Sequence, residues 1–113
     1  MNTTINTGVS SGRYRGRWYG LMLCLGEKSG RDIKENLKDK GSEVLMMLEL
    51  SNEYPEDFKW VNKLIALEDE KKSQGEKLPD ERLQADYLLG VVEAKMVYLE
   101  GGQWERLLFD GKI

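Results

Sequence analysis

The sequence predicts a mainly α-helical domain, a small bundle of three to four helices, and three observations carry that prediction. Residues 56–72 place Phe58, Trp60, Val61, Leu64, Ile65 and Leu67 on one face and Lys59, Asn62, Lys63, Asp69 and Glu70 on the other, the periodicity of an amphipathic helix. A second long periodic segment runs from Pro79 to Glu100 and stops at Gly101-Gly102, where a glycine ends a helix in the left-handed conformation. The chain has 113 residues, 40% apolar and 33% charged, the make-up of one ordinary globular domain that buries about two-thirds of its unfolded surface.

Taken in order, residues 1–12 are small and polar and read as a flexible N-terminal tail, leaving 13–113 as a single compact α-rich domain. Residues 13–26, RYRGRWYGLMLCLG, carry Gly16 and Gly20 just after Gly12. Each glycine costs a helix about 1 kcal/mol against alanine, so a strand or extended arm ending in the apolar run Leu21–Leu25 is expected. If residues 103–109 pair with it, the fold becomes α+β, with short terminal strands at about 13–25 and 103–109 packed on the helices.

Helix is expected over Asp32–Asn52, with Ser29 or Asp32 as N-cap, Ile33 and Leu37 on one face and a break or kink at Gly41. Ser42 can cap the run VLMMLEL (Val44–Leu50), which is apolar nearly all round and so belongs in the interior as a helix or a buried strand. Pro55 ends that element and starts the next as a first-turn proline, with Glu56 and Asp57 complementing the helix dipole. Residues 68–82 mix charges around Gly75 and Pro79 and read as an exposed connection.

The Pro79–Glu100 helix has two apolar faces. Leu83, Tyr87, Gly90, Val91, Ala94, Val97 and Tyr98 form one; Ala85, Leu88, Leu89, Val92, Met96 and Leu99 form the other. Narrow polar stripes separate them: Gln84 with Lys95, and Asp86 with Glu93 and Glu100. A helix apolar on two sides needs cover on two sides. One neighbour can come from this chain; for the second face a partner, including a second copy, is a serious candidate.

The missing residue types narrow the chemistry. There is no histidine, hence no Ser-His or Cys-His nucleophile pair and no common metal ligand. A single cysteine, Cys24, excludes an internal disulfide and a multi-cysteine zinc site. It lies in an apolar run and reads as a small buried hydrophobe, and an unpaired thiol suits the cytoplasm. The N-terminal residues lack a secretory pattern, and apolar runs reach only five residues, far short of a membrane span. The sequence therefore predicts no enzyme, no cofactor, no metal and no membrane.

Two motif readings fail, one on spacing and one on charge. In LMLCLGEKSGRD, Glu27 separates Gly26 from Lys28 and breaks the phosphate-loop pattern. Gly12, Gly16 and Gly20 have the small-xxx-small spacing of packed membrane helices, but three arginines among them exclude a membrane helix.

Charge is unevenly distributed: residues 1–31 carry +4 and residues 32–113 carry −7. Arg13, Arg15 and Arg17 interleaved with Tyr14, Trp18 and Tyr19 suit phosphates and bases, or an acidic protein surface. The same residues also suit an internal role, arginines bridging to acids of the body and aromatics closing the core. Met46, Met47 and Met96 read as core filling.

The expected function is a non-enzymatic protein–protein interaction module, a small adaptor, inhibitor or assembly subunit with a regulatory or inhibitory role. Its apolar anchors would be Leu88, Val92, Met96, Leu99 and Trp104, with Arg13, Tyr14, Arg15, Arg17, Trp18 and Tyr19 facing an acidic partner. The alternative is a nucleic-acid-binding accessory protein using that N-terminal segment.

Overall fold

In a computed structural model, residues 9–31 and 39–109 are described. They form four α-helices, α1 (Ser11–Ser29), α2 (Lys40–Glu53), α3 (Pro55–Ser73) and α4 (Asp80–Leu99), then a 3₁₀ turn at Trp104–Leu108. Among the described residues there is no strand. The helical bundle stands; the terminal strands do not. Residues 13–25 lie within α1, and 103–109 contain the 3₁₀ turn.

Helix α1 forms despite its glycines because its ends are well capped and its middle is enclosed. The Ser10 side chain accepts from the Arg13 N–H at 3.1 Å, a standard N-cap. At the other end Gly30 takes φ 82°, Gly30 N–H donates to Glu27 O at 3.1 Å and Arg31 N–H to Gly26 O at 2.7 Å, the Schellman pattern. Ser29, expected to cap the following helix, ends this one, its hydroxyl donating to Gly26 O at 3.0 Å. Twelve of the nineteen α1 residues are buried, so α1 is the central helix around which the others pack.

The glycine spacing is what lets α4 approach. A Cβ on Gly12 would lie 2.5 Å from Leu83 O, one on Gly16 would run into the Tyr87 carbonyl, and one on Gly20 would lie 3.0 Å from Val91 Cα. These pairs advance in the same order along both helices, so α1 and α4 are parallel. The spacing that cannot signify a membrane helix in this sequence signifies close backbone packing all the same. Antiparallel to α1, α3 is held by Trp18 to Glu68 near one end and Lys28 to Asp57 near the other.

The remaining boundaries follow local chemistry. Helix α2 is capped by Asp39, whose side chain accepts from Ser42 N–H at 2.8 Å; Ser42, the expected cap, donates. Tyr54 joins α2 to α3, and Pro55 occupies the first position of α3. Pro79 precedes α4, and Gly101 and Gly102, at φ 117° and 77°, end it. Residues 32–38, with the expected helix start and the Ile33–Leu37 pair, lie outside the described residues, as do residues 1–8 of the expected tail. Val9 is fully buried, and Ser11 and Gly12 begin α1, so these tail residues belong to the core.

The core joins Tyr14, Trp18, Leu21, Met22, Cys24 and Leu25 of α1 to Met46 and Leu50 of α2. Phe58, Val61 and Leu64 of α3, Ala94 and Val97 of α4, Trp104 and Leu107 of the terminal turn, and Val9 ahead of α1 complete it. No helix among the described residues is long and apolar enough to cross a membrane.

Candidate interaction surface

The two faces of α4 have different fates. Leu83, Tyr87, Gly90, Val91 and Ala94 pack on the glycine face of α1, with Val97 and Tyr98 on the same side of the helix. The opposite face is open: Leu88 is 56% exposed, Leu89 44%, Val92 51%, Met96 41% and Leu99 82%. At about 100° per residue these five and Ala85 fall within a third of the helix circumference, and the arc between Ala85 and Leu99 contains no charged residue. Leu89 belongs to this face as fully as the four anchors singled out from sequence.

Trp104 does not belong to it. It is 4% exposed, stacks on Tyr98 at 6.1 Å between ring centroids with 13° between planes, and donates from Nε1 to Asp57 Oδ1 at 3.2 Å. The glycine pair turns the chain back so that this indole closes one end of the bundle, and it is no surface anchor.

A second apolar strip was missed. Val44, Leu45 and Leu48 of α2 are each more than half exposed, while Met46 and Leu50 are buried. The signal lay in the run Val44–Leu50 itself: a helix apolar all round, on a chain this short, has more such surface than its neighbours cover.

The arginine-aromatic segment is used internally, on helix α1 and not on a strand or arm. Arg17 is 0% exposed; its Nε donates to Glu93 Oε1 at 2.9 Å, and its Nη1 to the carbonyls of Leu107 at 2.7 Å and Phe109 at 2.8 Å. Arg13 forks onto the same carboxylate, through Nε to Oε1 at 3.0 Å and Nη2 to Oε2. Burial pulls the Glu93 carboxyl upward, but the hydrogen bonds and charges of Arg13 and Arg17 outweigh it and hold the group below the ordinary range. Among the described residues Arg17 Nη2 has no hydrogen-bond partner, a cost such a network tolerates only because its other contacts are charge-assisted.

Trp18 is buried and donates to Glu68 Oε1 at 2.7 Å; Glu68 also faces Lys72 at 2.9 Å and Arg15 at 3.6 Å. Tyr14 is fully buried. Tyr19 packs on Tyr87 at 5.7 Å between centroids. Of the three arginines Arg15, half exposed and lying 5.4 Å over the Trp18 ring, is the most open to solvent. Beside it a cleft of about 580 Å³ is lined by Trp18, Tyr19 and Tyr87 and by charges of both signs, Arg15 and Lys72 with Glu43, Glu68 and Asp80. Among the described residues no group of three or more metal-ligating side chains comes together.

The chain matches no known family model, no curated protein and no solved structure. The functional reading therefore rests on the surface of the molecule. The open face of α4 is its most distinctive feature, with the α2 strip second. Cys24 is buried, and burial pushes its thiol up to about 11, where it is protonated at neutral pH and unreactive.

Proposed function

We propose that this protein is a non-enzymatic protein–protein interaction module that acts by covering a partner's surface with the outward face of α4. The observation that carries the reading is the charge-free stripe of Leu88, Leu89, Val92, Met96 and Leu99, all 41–82% exposed. Soluble monomers rarely leave more than a few hundred Å² of contiguous apolar surface open to water, and larger patches mark interaction sites. Leucine and methionine on a rigid helix suit this use, because little conformational entropy of the backbone remains to be lost on binding.

The burial of Arg17 and the engagement of Arg13 with Glu93 favour this reading over nucleic-acid binding. Cations committed to a buried carboxylate cannot neutralise phosphates without first breaking that pairing.

The test is affinity capture of the tagged chain from its own cells, with and without nuclease, for the wild type and for Val92→Asp. Capture of a protein in fixed proportion, insensitive to nuclease and lost in Val92→Asp, is the expected result. Capture that vanishes with nuclease, or that survives Val92→Asp, overturns the reading.

A further inference from the structure

We infer that the partner seated on the α4 face is a second copy of this chain, its α4 packed antiparallel about a two-fold axis beside Val92. This rests on the reading of that face as an interaction surface and adds the occupant. Three features argue for it.

First, the stripe is self-complementary in shape. Turning an antiparallel copy about Val92 sets Val92 against the partner's Val92 and Leu88 against the partner's Met96. It also sets Ala85, the one small residue of the stripe, against the partner's Leu99, the most exposed leucine at 82%. A large side chain over a small one at both ends lets the helices approach evenly along the contact.

Second, the flank is complementary in charge. Arg82 and Glu100 are eighteen residues apart, five whole turns at about 100° per residue, so they project from the same side of α4. In an antiparallel pair related by a perpendicular two-fold, identical flanks meet with their ends exchanged. Arg82 then faces the partner's Glu100 and Glu100 faces the partner's Arg82, centred one residue from Val92. Both side chains are more than half exposed; Arg82 also touches Asp86 at 3.3 Å and Glu100 touches Arg106 at 2.7 Å, contacts at the rim that leave room for a second partner.

Third, the size fits. From Ala85 to Leu99 the stripe is ~20 Å long, which places a helix pair near the small end of specific interfaces, about 1,200 Å² in total. An isologous contact also closes on itself as a dimer, whereas a one-way seating of α4 of one copy on the α2 strip of another leaves a free face at each end and grows into a ring or an open chain.

The test combines sedimentation equilibrium with cysteine cross-linking of the full chain. Sedimentation should show a monomer–dimer equilibrium that goes no further. Val92→Cys should form a covalent dimer under mild oxidation. Leu99→Cys alone should not, because the two thiols would lie ~20 Å apart across the axis, and Ala85→Cys with Leu99→Cys should. Arg82→Glu should weaken the dimer about fivefold, and Arg82→Glu with Glu100→Arg should restore it. That rescue would not occur if the loss came from the Asp86 and Arg106 contacts, which stay broken in the double variant. Helical circular dichroism and melting confirm that each variant folds.

A particle monomeric at all concentrations, growth past the dimer, self-linking of Leu99→Cys, or a failed rescue overturns the inference. If the chain is monomeric yet captures a different protein in a Val92-dependent way, the second copy is wrong and the interaction reading stands. If neither occurs, both fall.

Discussion

Gly16 and Gly90 lie back to back where α1 crosses α4: a Cβ on Gly16 would sit 3.0 Å from the Gly90 Cα, and one on Gly90 would sit 2.7 Å from the Arg17 N. The contact is backbone against backbone, and backbone atoms inside two packed helices cannot step aside as a side-chain tip can. This close approach also brings Arg17 and Arg13 of α1 within reach of Glu93, one turn beyond Gly90.

Replacing Gly16 by alanine sets two effects in opposition. Helix propensity alone would favour the change by about 1 kcal/mol, while overpacking against the Tyr87 carbonyl costs about 3 kcal/mol or more. The collision wins, and chemical denaturation should show Gly16→Ala destabilised by about 2 kcal/mol. In Gly41→Ala the new Cβ meets only the Asp39 side-chain oxygen at 3.3 Å, so that variant should be neutral or slightly more stable. A stabilised Gly16→Ala would contradict the packing described.

Glu93 is the shared counter-ion of two guanidinium groups, one of them fully buried. Glu93→Leu strands Arg17 without its counter-ion and should cost about 3–5 kcal/mol. Glu93→Leu with Arg17→Met removes both charges and should recover much of that loss, though the Leu107 and Phe109 carbonyls lose their donor. A double-mutant cycle by urea denaturation measures the coupling; additive losses would show that the two residues do not act together.

The same carboxylate sets an acid limit. Its folded-state value lies below the ordinary glutamate range, so its contribution is fully present above the unfolded value of about 4.3 and is lost as pH falls through the folded value. Thermal melts from pH 6 downward should therefore drop more steeply below about pH 4.3 for the wild type than for Glu93→Gln. Equal slopes would place the acid sensitivity elsewhere.

Cys24 should resist modification. With the thiol buried and held near 11, iodoacetamide at neutral pH should label it only through opening of the fold. The labelling rate should accelerate by orders of magnitude in denaturant. Rapid labelling of the native protein would show that α1 is not enclosed as described.

The legible parts of the fold were those with short-range causes. The alternation of faces over 56–72, Pro55 and Pro79 at the starts of their helices and the glycine pair after α4 each act within a turn or two. The division of α4 into two apolar faces separated correctly the residues that meet α1 from those left open. Ser10 and Gly30 cap α1 through equally local contacts, but the four glycines between them, Gly12, Gly16, Gly20 and Gly26, disfavour a helix on local grounds. Trp104 looked like an anchor because aromatic residues serve both cores and interfaces, and nothing near it in sequence revealed that Tyr98 and Asp57 receive it.

Periodicity, prolines and caps were enough to determine that this chain is helical and that α4 carries more apolar surface than one neighbour can cover. Only tertiary structure decided that residues 11–29 are the central helix and that Arg13 and Arg17 turn inward while Arg15 stays half exposed. A glycine's local cost can be read from the residue itself, but the backbone contact that offsets it depends on a partner some seventy residues away, and the chain brings that partner into place only on folding.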